Sequence, residues 1–510
     1  MNLKRSSRRT PLSSRKPSTR NTHRPQLKGQ KWMPTPYMRK GVKFLLTRGA
    51  GGLFWSPGLR KTSVTLAAIK LLRDEIRGAP WLIIAPVRVC HLVWPKEIQK
   101  WQDFQDLSVE VLHGPDKNAA LRRKADVYCI NPEGLPWLLE QWRQGNMPKF
   151  FGLVVDESTA FKKSNTERFK NLKGMLNMFK RRYILTGSPA PNGLLDLFGQ
   201  IFILDRGAAL GEYITKYRLE FFDPTGYGGY TWVPKPGAKV RIYERISELV
   251  LRFEDKDYLE LPPLIGAIGQ KEPPNIIEVE LPKVARKIYD DLEEHLIADI
   301  GERVIVAANV GVAITKCAQV ANGGLYSNES RTAWKLMHDA KTDAAEEFVD
   351  ERNGDPTLIA VDYHHDAERL IKRFGKDTPY LGKGVSVKEA KRIESAWNAG
   401  DLRVLLMSVA TPHGLNMQER GRAVLYHSIT YNWEHYDQFF RRVYRSGVGG
   451  SIIIGHLSAR GTVDEAKIAA LQSKHKGEEA MLDALKAYAV QRGYAPKPKP
   501  YGGRYSWRRA

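Results

Sequence analysis

A short polar loop near the start of the chain has residue types that suit phosphate binding. The segment 54–62, FWSPGLRKT, lies between an apolar run and a helical pattern. A phosphate cradle needs backbone N–H groups in a tight turn, a lysine for the phosphate charge and a hydroxyl for magnesium. Gly58, Lys61 and Thr62 supply these parts, although neither glycine of the G-x-x-x-x-G-K-S/T pattern is present. The loop predicts a phosphate-binding site, and an ordinary Arg-Lys-Thr helix start is the alternative.

Two adjacent carboxylates end a predicted strand in the segment 151–159, FGLVVDEST. A buried strand that ends in paired carboxylates costs free energy unless a cation or a proton relay uses them. Asp156 is placed to hold a hydrated magnesium ion, and Glu157 to orient and deprotonate an attacking water. The alternative is a strand-end aspartate that caps the following helix.

A third polar segment, YILTGSP at 183–189, is a strand that runs into a turn. Its two hydroxyls, from Thr186 and Ser188, could link the carboxylate pair to a moving partner. By itself, the segment equally fits a helix N-cap followed by a proline at the first helical position.

A helical segment far along the chain, QFFRRVYR at 438–445, carries a polar face. Gln438, Arg442 and Arg445 stand at i, i+4 and i+7, so one face of a helix presents all three. Arginines that one domain delivers to phosphates held by another accelerate phosphoryl transfer by roughly 10³–10⁵. A solvated arginine face is the alternative, but the polar loop 408–418 just upstream is hard to explain by packing.

These segments belong to a pattern of short apolar runs that alternate with longer amphipathic stretches. Continuous Val/Ile/Leu runs separated by helical patterns favour parallel sheets covered by helices on both faces. Clefts at the carboxyl ends of parallel strands are where such folds bind ligands. The predicted strands are 81–86, 127–131, 151–156 and 182–186 in a first unit, and 357–363, 403–409, 422–428 and 451–456 in a second. The predicted helices are 61–77, 283–298, 366–374, 386–399 and 435–443.

The fold class is therefore α/β, with two tandem units between basic tails. We expect a basic disordered arm at 1–32, α/β units at 33–205 and 275–475, and a linker or insertion at 206–274. A helical end and a basic, aromatic tail follow at 476–510. Part of the insertion is dense in Gly, Pro and Tyr, which indicates irregular structure.

The charge of the chain is concentrated at its ends. The formal net charge is +24, and the first acidic residue is Asp74. Residues 1–31 carry ten basic side chains and residues 491–510 carry six, the latter interleaved with tyrosines and a tryptophan. Such arms suit phosphate contact with base stacking, and they indicate nucleic-acid attraction without sequence choice. Solvated tails or localisation signals are the alternatives.

Several other classes of protein and site are excluded. Three cysteines without CxxC spacing exclude a disulfide framework and a cysteine-based zinc site. The histidines show no HExxH or comparable spacing, so we expect no protein-ligated metal site. The apolar runs fall far short of the roughly 20 residues that span a bilayer, and the N-terminus lacks the apolar core of a secretory signal. We expect a soluble, intracellular protein without a membrane partner.

In their order and spacing, these segments resemble the superfamily-two helicases, and within them the Swi/Snf-like DNA translocases in the compact form that bacteriophages carry. The resemblance covers roughly residues 33–460. Residues 156–159 resemble the Walker B motif, 185–189 the coupling motif, and 408–418 and 438–445 the last two motifs. The resemblance implies two tandem RecA-like domains, each a parallel sheet covered by helices, that bind ATP and Mg²⁺ between them.

The resemblance also implies roles for individual residues. The catalytic set would be Asp156, Glu157, Gln438, Arg442 and Arg445, with Thr62 and Asp156 on magnesium. Nucleotide contacts would come from Tyr37, Gly58, Leu59, Arg60, Lys61 and Thr62. DNA contacts, mostly to the phosphate backbone of a duplex, would come from Arg88, Asn131, Thr186, Ser188, Ser408 and Asn416.

Three positions depart from the family pattern. Met38 stands where many relatives have a glutamine that reads adenine, and Ser56 replaces an acidic residue before the phosphate loop. Arg60 replaces the glycine directly before the catalytic lysine. That glycine commonly adopts a backbone conformation that a side chain disfavours by about 1–3 kcal/mol. The arginine could crowd the phosphates or neutralise them.

The expected function is ATP hydrolysis that duplex DNA stimulates and that drives movement along the duplex; strand separation does not follow from the resemblance. Two alternatives stay open: a catalytically silent DNA-binding protein whose phosphate loop Arg60 disables, and an RNA-directed ATPase of the same superfamily. Retention of the carboxylate pair, the glutamine and both arginines argues against a silent site. The expected location is the cytoplasm, that of the host cell if a phage encodes the protein.

Overall fold

The described part of the chain forms two α/β lobes in tandem, in a computed structural model that describes residues 29–473 apart from 77–79, 192, 226–230, 255–256, 303–306, 328–329, 353 and 411–413. Most of the predicted N-terminal arm lies outside the described residues. The predicted tail at 476–510 lies outside them entirely.

The first lobe is built on one parallel sheet whose strands alternate with helices, the connection that parallel strands require. The strands are β1 (Ala50–Trp55), β2 (Trp81–Ile84), β3 (Val109–Val111), β4 (Val127–Ile130), β5 (Gly152–Asp156), β6 (Arg181–Thr186), β7 (Phe222–Thr225), β8 (Thr231–Pro234) and β9 (Val250–Phe253). The helices are α1 (Pro36–Thr47), α2 (Lys61–Ile76), α3 (Trp94–Lys100), α4 (Lys117–Arg122), α5 (Leu135–Arg143), α6 (Glu167–Met175), α7 (Leu197–Asp205), α8 (Ile214–Phe221) and α9 (Ala238–Ile246). Within the described residues the sheet order is β3-β4-β2-β5-β6-β1-β9, while β7 and β8 form a separate antiparallel hairpin.

Both faces of this sheet are buried, which explains the unbroken apolar runs of its strands. Leu153 and Val155 of β5 belong to one apolar cluster, and Val154 between them belongs to the other. Because side chains alternate along a strand, a continuous apolar run fills the space on both sides of the sheet. Strand β5 is therefore anchored along its length, up to the carboxylate of Asp156 at its end.

Strand β1 is not among the predicted strands, because its glycines lower strand propensity. A Cβ atom at Gly51 would lie 2.9 Å from the ring of Phe44. A Cβ atom at Gly52 would lie 3.1 Å from Ile184 and 3.2 Å from Val250. The glycines therefore let β1 pass closely beneath α1 and between β6 and β9. The strand ends where the phosphate loop begins.

The second lobe repeats this plan with a second parallel sheet. Its strands are β10 (Leu264–Ile265), β11 (Ile276–Val279), β12 (Gly324–Tyr326), β13 (Trp334–Leu336), β14 (Thr357–Val361), β15 (Tyr380–Leu381), β16 (Val404–Ser408), β17 (Ala423–Tyr426) and β18 (Ile452–Ala459). Its helices are α10 (Lys283–Glu302), α11 (Ala307–Asn322), α12 (Ala340–Asp350), α13 (His364–Phe374), α14 (Val387–Ala399), α15 (Trp433–Phe440) and α16 (Val463–Gln472). In the described residues the order is β10-β18-β17-β14-β16-β15, with β11 also on β18, and β12 and β13 form a hairpin.

The eight predicted strands are all present, with their ends within three residues of the predicted ones.

The segment predicted as a linker or insertion, 206–274, is more regular than its Gly and Pro content indicates. It holds α8, α9 and the β7–β8 hairpin, and its strands β9 and β10 join the first and second sheets. Tyr217, Phe221 and Ile242 from its helices are buried in the first lobe, so apolar packing orders the segment.

A buried network of charged side chains connects four helices of the second lobe. Lys341 of α12 is fully buried, and its Nζ lies 2.6 Å from Asp464 Oδ2 on α16. The same Nζ donates to Asn322 Oδ1 at 2.8 Å, and the Asn322 amide donates to Asp366 Oδ2 at 2.8 Å. Burial lowers the pKa of Lys341, and the charge of Asp464 opposes that shift. The network therefore depends on each charge keeping its partner.

We expect Lys341→Met to destabilise the protein by about 3–5 kcal/mol, because it leaves a buried carboxylate without its cation. Equilibrium urea unfolding followed by circular dichroism measures the change. Lys372 of α13 is exposed, so Lys372→Met is the matched control and should leave the unfolding midpoint unchanged. A loss below about 1 kcal/mol for Lys341→Met, the level of a surface ion pair, would contradict this account.

Candidate active site

A cleft of about 740 Å³ lies between the two lobes, at the carboxyl ends of central strands. The first lobe contributes the loop after β1 and the turns after β5 and β6. The second lobe contributes the loop after β16 and the chain around the end of α15. The predicted site residues in its lining are Gly58, Arg60, Lys61, Thr62, Asp156, Glu157, Ser188, Asn416, Gln438, Arg442 and Arg445. The fold thus brings segments that are far apart in sequence to one place.

The loop after β1 positions Lys61. Gly58 has φ +91°, which residues with a Cβ atom rarely adopt, and α2 begins at Lys61. The Lys61 ammonium donates to Trp55 O at 2.7 Å and to Ser56 O at 3.4 Å. Burial lowers the pKa of Lys61, and the two carboxylates after β5 oppose the shift. The ammonium is therefore held at a helix start, opposite the carboxylate pair.

Arg60 adopts the left-handed backbone conformation expected of the glycine that it replaces, with φ +55°. This conformation costs a residue with a side chain roughly 1–2 kcal/mol. The side chain is exposed, and its guanidinium lies 5.9 Å from the centroid of the Trp101 ring. Lys100 Nζ lies 4.7 Å from the same centroid. Arg60 therefore lies against Trp101, and both residues line the cleft.

The turn after β5 holds the two carboxylates. Trp94 Nε1 donates to Asp156 Oδ2 at 3.1 Å, and the Glu157 backbone N–H donates to Asp156 Oδ1 at 3.0 Å. Burial and then the charge of Glu157 raise the pKa of Asp156 to about 7, while Lys61 lowers it. Glu157 itself has φ +52°, a strained conformation of the kind that persists at functional sites. A nearby cation stabilises the ionised form of a carboxylate whose ionisation burial disfavours.

Gln200 connects the carboxylate turn to the turn after β6. Ser158 Oγ donates to Gln200 Oε1 at 2.7 Å, and Gln200 Nε2 donates to Pro189 O. The Thr186 hydroxyl accepts from Ser188 N at 3.1 Å and so orders its own turn. The sequence predicts that the Thr186 and Ser188 hydroxyls link the carboxylate pair to a moving partner. The bonds of the fully buried Gln200 instead join two turns of the first lobe. A glutamine on an apolar helix carries no signal of this role.

The second lobe presents Gln438, Arg442 and Arg445 to the cleft. Helix α15 carries Gln438 and ends before both arginines, which nevertheless stay on the cleft side. Arg442 Nη1 donates to Leu415 O at 3.1 Å, and Arg445 Nε donates to Arg441 O at 3.1 Å. Burial and then the charge of Arg445 lower the pKa of Arg442 to about 9. Arg442 is buried and Arg445 is half-buried, and two guanidinium groups on one wall of the cleft favour an anion beside them.

Three buried polar atoms in the lining have no partner among the described residues: Arg442 Nε, Gln438 Oε1 and Asn416 Oδ1. Each such atom costs about 1–3 kcal/mol unless a ligand or a water molecule satisfies it. Basic side chains outnumber acidic ones in the lining. The cleft therefore fits a polyanion with hydrogen-bonding groups, and Thr62 and Asp156 have the oxygen ligands for a divalent cation beside it.

Two residues predicted to contact nucleotide do not line the cleft. The Tyr37 ring lies 5.8 Å from the Trp55 ring and 5.1 Å from the Tyr258 ring, behind the phosphate loop. Leu59 is fully buried, and so is Met38 at one of the positions that depart from the family pattern. In this structure these side chains belong to the apolar cluster that packs against the phosphate loop.

The residues predicted to contact DNA follow the carboxyl ends of strands. Thr186 ends β6, Ser408 ends β16 and Asn131 directly follows β4. Arg88, after β2, is half-buried and donates to Gly382 O of the second lobe at 3.1 Å. In this conformation Arg88 therefore contributes to the contact between the lobes.

Two further contacts between the lobes involve residues that the sequence analysis did not single out. Lys96 Nζ lies 2.7 Å from Glu394 Oε2, and Glu394 Oε1 accepts from Asn416 N at 2.9 Å. Leu92, in a π-helical turn at Val89–Val93, is buried among the apolar side chains of the second lobe. A carboxylate on an amphipathic helix ordinarily faces water, so the sequence carries no signal for Glu394.

Neither a metal-binding group of side chains nor a membrane-spanning helix is found in the part of the chain that the structure describes. No group of three or more His, Cys, Asp or Glu side chains there could hold a metal ion by itself. The cysteines Cys90, Cys129 and Cys317 are buried. No helix in the same part of the chain is long and apolar enough to cross a membrane.

Two family models match the chain. The SNF2-related domain matches residues 26–235, and the Helicase conserved C-terminal domain matches residues 340–447. The first match contains the phosphate loop, the carboxylate pair and the turn after β6. The second match contains both arginines of the cleft. Each wall of the cleft therefore lies in a matched region.

The chain is also similar to individual proteins. It is 31% identical over 471 residues to protein p41 of Acyrthosiphon pisum secondary endosymbiont phage 1, a match that covers 89% of this chain and 98% of that protein. It is 23% identical over 476 residues to the human DNA annealing helicase and endonuclease ZRANB3, covering 88% of this chain but 40% of that protein. A solved structure of the Sulfolobus solfataricus SWI2/SNF2 ATPase core in complex with dsDNA is 21% identical, with 92% of this chain and 97% of that chain covered and a TM-score of 0.42.

We expect Arg60→Gly to be more stable than Arg60→Ala by about 1 kcal/mol, because both lose the contact with Trp101 but only glycine occupies the left-handed region without strain. Thermal unfolding by calorimetry compares the two variants. Exposed Lys391 in the interior of α14 is the control, where alanine should instead exceed glycine by about 1 kcal/mol. Equal stabilities of the two variants at position 60 would contradict the positive φ of Arg60.

Proposed function

Because the chain belongs to the SNF2-like family of superfamily-two helicases, we propose that it is an ATPase that duplex DNA stimulates and that moves along the duplex. The observation that carries this proposal is the cleft, which joins Lys61 and Glu157 of the first lobe to Arg442 and Arg445 of the second. A phosphate chain bound there would touch both lobes. Its hydrolysis would therefore change how the lobes are held together, and movement along DNA needs such a change.

Lys61 and the loop after β1 bind the phosphates of ATP in this proposal. The Lys61 ammonium exchanges its main-chain acceptors, Trp55 O at 2.7 Å and Ser56 O at 3.4 Å, for a phosphate oxygen. Backbone N–H groups at the start of α2 add the positive potential of a helix N-terminus. Arg60, whose guanidinium lies against Trp101, adds positive charge to the lining of the cleft.

Thr62 and Asp156 would hold a magnesium ion, which would neutralise phosphate charge. The Trp94 indole orients Asp156 through its hydrogen bond of 3.1 Å. Glu157 acts as the general base and takes a proton from the attacking water. Its left-handed backbone departs from the strand direction and brings its side chain into the lining of the cleft.

Arg442 and Arg445 stabilise the charge that develops on the transferred phosphoryl group. Arg442 Nε is buried without a partner among the described residues, so it has a donor to offer. A phosphate group between the lobes attracts both arginines and favours closure. Departure of the phosphate ends this attraction and lets the second lobe move.

The proposed DNA contacts come from residues that follow strand ends in both lobes. Contacts to phosphates would fix the position of the protein on the duplex without reading base sequence. The human relative is named a DNA annealing helicase, which supports DNA as the polymer. The phage protein matched over nearly its whole length supports the cytoplasm of a host cell as the place of action. The proposed set is Arg88, Asn131, Thr186, Ser188, Ser408 and Asn416.

A catalytically silent DNA-binding protein is the competing function that Arg60 raises. The position of its side chain on Trp101 leaves Lys61 and Thr62 in the lining of the cleft, which favours an active site. An RNA-directed ATPase differs only in the polymer that stimulates it. The following test distinguishes both alternatives from the proposed function.

We expect phosphate release from ATP to rise when duplex DNA is added, and to be lost in Lys61→Ala because the phosphates lose their cation. Glu157→Gln should lower the stimulated rate by roughly 10²–10⁴, the usual contribution of a general base. Steady-state phosphate release with duplex DNA, single strands and RNA measures these effects. Glu167→Gln is the matched control, since its carboxylate is 79% exposed on the first lobe and should not affect the rate.

Each result has a distinct meaning. No turnover with any polymer, while DNA binding persists, would establish the silent protein. Stronger stimulation by RNA than by duplex DNA would establish the RNA-directed ATPase. An unchanged rate in Glu157→Gln would overturn the assignment of the general base.

The basic arms predict a steep response of DNA binding to salt. If about ten phosphate contacts form, the slope of log affinity against log salt concentration should approach roughly −9 on duplex DNA. Removal of residues 1–31 and 491–510, which hold sixteen basic side chains, should flatten the slope and leave ATP hydrolysis in place. Fluorescence anisotropy across a salt series measures it, and an unchanged slope would contradict a role of the arms in binding.

A further inference from the structure

We propose that Glu434 is a positioning residue of the second lobe, which fixes the side-chain amide of Gln438 and ties it to the turn after Asp156 and Glu157. This inference rests on the proposed ATPase function and adds a residue to the same site. Glu434 does not line the cleft itself, so its effect on the reaction passes through Gln438.

The start of α15 holds Glu434 in place. Asn432 Oδ1 accepts hydrogen bonds from Glu434 N at 2.9 Å and from His435 N at 3.3 Å, which caps the helix. The Glu434 side chain is only 12% exposed. A capped helix start and a buried side chain restrict the rotamers, so the carboxylate points in a defined direction.

This carboxylate reaches the first lobe. Thr159 Oγ1 donates to Glu434 Oε1 at 2.9 Å, and Lys162 Nζ lies 3.7 Å from Glu434 Oε2. Lys162 Nζ also lies 3.5 Å from Asp196 Oδ2, which holds it against the first lobe. Burial raises the pKa of Glu434, and Lys162 and the Thr159 hydroxyl oppose the shift. Glu434 is therefore bonded to the segment that directly follows the carboxylate pair.

On its own helix, Glu434 fixes the orientation of Gln438. Gln438 Nε2 donates to Glu434 Oε1 at 3.3 Å. An ionised carboxylate only accepts hydrogen bonds, so the amide must turn Nε2 toward it and Oε1 away. Gln438 lines the cleft, and its buried Oε1 has no partner among the described residues. Gln438 thus offers the cleft an acceptor, which suits the O–H of a water molecule and not a phosphate oxygen.

This orientation bears on the chemical step. A water molecule that donates one O–H to Gln438 Oε1 keeps its second proton for Glu157 and a lone pair for the phosphorus atom. The proton goes to Glu157, the new O–P bond forms and the bond to the leaving phosphate oxygen breaks. Without Glu434 the amide can turn over and present Nε2, which does not orient the water. Loss of Glu434 should therefore slow the chemical step more than it weakens ATP binding.

Single-turnover phosphate release, with enzyme in excess over ATP and duplex DNA saturating, tests this inference because its rate constant does not depend on the fraction of folded protein. Glu434→Ala should lower the rate constant roughly 10–100-fold, with less than about threefold change in the enzyme concentration at half-maximal rate. Glu434→Gln keeps the size but can donate as well as accept, so it should also lower the rate constant. Exposed Glu347 on α12 is the matched control, and Glu347→Ala should behave as wild type.

The double variant Glu434→Ala/Gln438→Ala separates positioning from packing. If Glu434 acts through Gln438, the double variant should match Gln438→Ala within about twofold. Fully additive losses, or a wild-type rate constant in either single Glu434 variant, would overturn the inference and leave the ATPase function standing. Absence of DNA-stimulated hydrolysis in the wild-type protein would overturn the proposed function itself.

Discussion

The cleft depends on charges that the fold buries on both of its walls. Burial raises the pKa of Asp156 to about 7 and lowers that of Lys61, and each of the two opposes the shift of the other. On the opposite wall, burial lowers the pKa of Arg442 to about 9 and also lowers that of Arg445. An anion relieves the repulsion between the arginines, and a cation relieves the cost of the carboxylates. A phosphate chain that carries a divalent cation would relieve both at once, so the charges of the two walls support the ligand of the proposed function.

The order of the strands explains why these charges meet. Strands β1, β6 and β5 are neighbours in the first sheet, so the phosphate loop, the turn after β6 and the carboxylates must follow one another along its carboxyl edge. The approach is close, since a Cβ atom at Gly187 would lie 3.0 Å from the ring of Pro57. The glycines of β1 allow the same closeness at the sheet itself. A residue that seems a poor strand former in isolation is thus required by its neighbours.

The fold class and much of the lining of the cleft can be predicted from the sequence, because both correspond to periodic or local patterns in it. Continuous apolar runs locate the eight predicted strands, and Asp156 and Glu157 stand out because two carboxylates directly follow such a run. Strand β1 is not predicted, because its glycines allow close contacts with residues that are distant in the sequence, and no local pattern shows such contacts. Gln200 and Glu434 are not predicted for a related reason: their roles depend on individual hydrogen bonds between distant segments, and no local pattern encodes such bonds. The aromatic packing of Tyr37 against Trp55 and Tyr258 is likewise defined only by the three-dimensional structure.

The contacts between the lobes are individually weak, which is consistent with the lobe movement that the proposed function requires. The ion pair of Lys96 with Glu394 is half exposed on the lysine side, where such pairs contribute roughly 0–1 kcal/mol. A hydrogen bond such as that of Thr159 with Glu434 contributes about 1 kcal/mol net, and burial of Leu92 in the second lobe about 1.5–3 kcal/mol. These three terms amount to a few kcal/mol, about as much as one well-placed phosphate can supply through charge-assisted hydrogen bonds. Arg88 with Gly382 O and Lys162 with Glu434 add further contacts between the lobes. Under the proposed function, a phosphate in the cleft would therefore stabilise the closed arrangement on the same scale as individual contacts between the lobes.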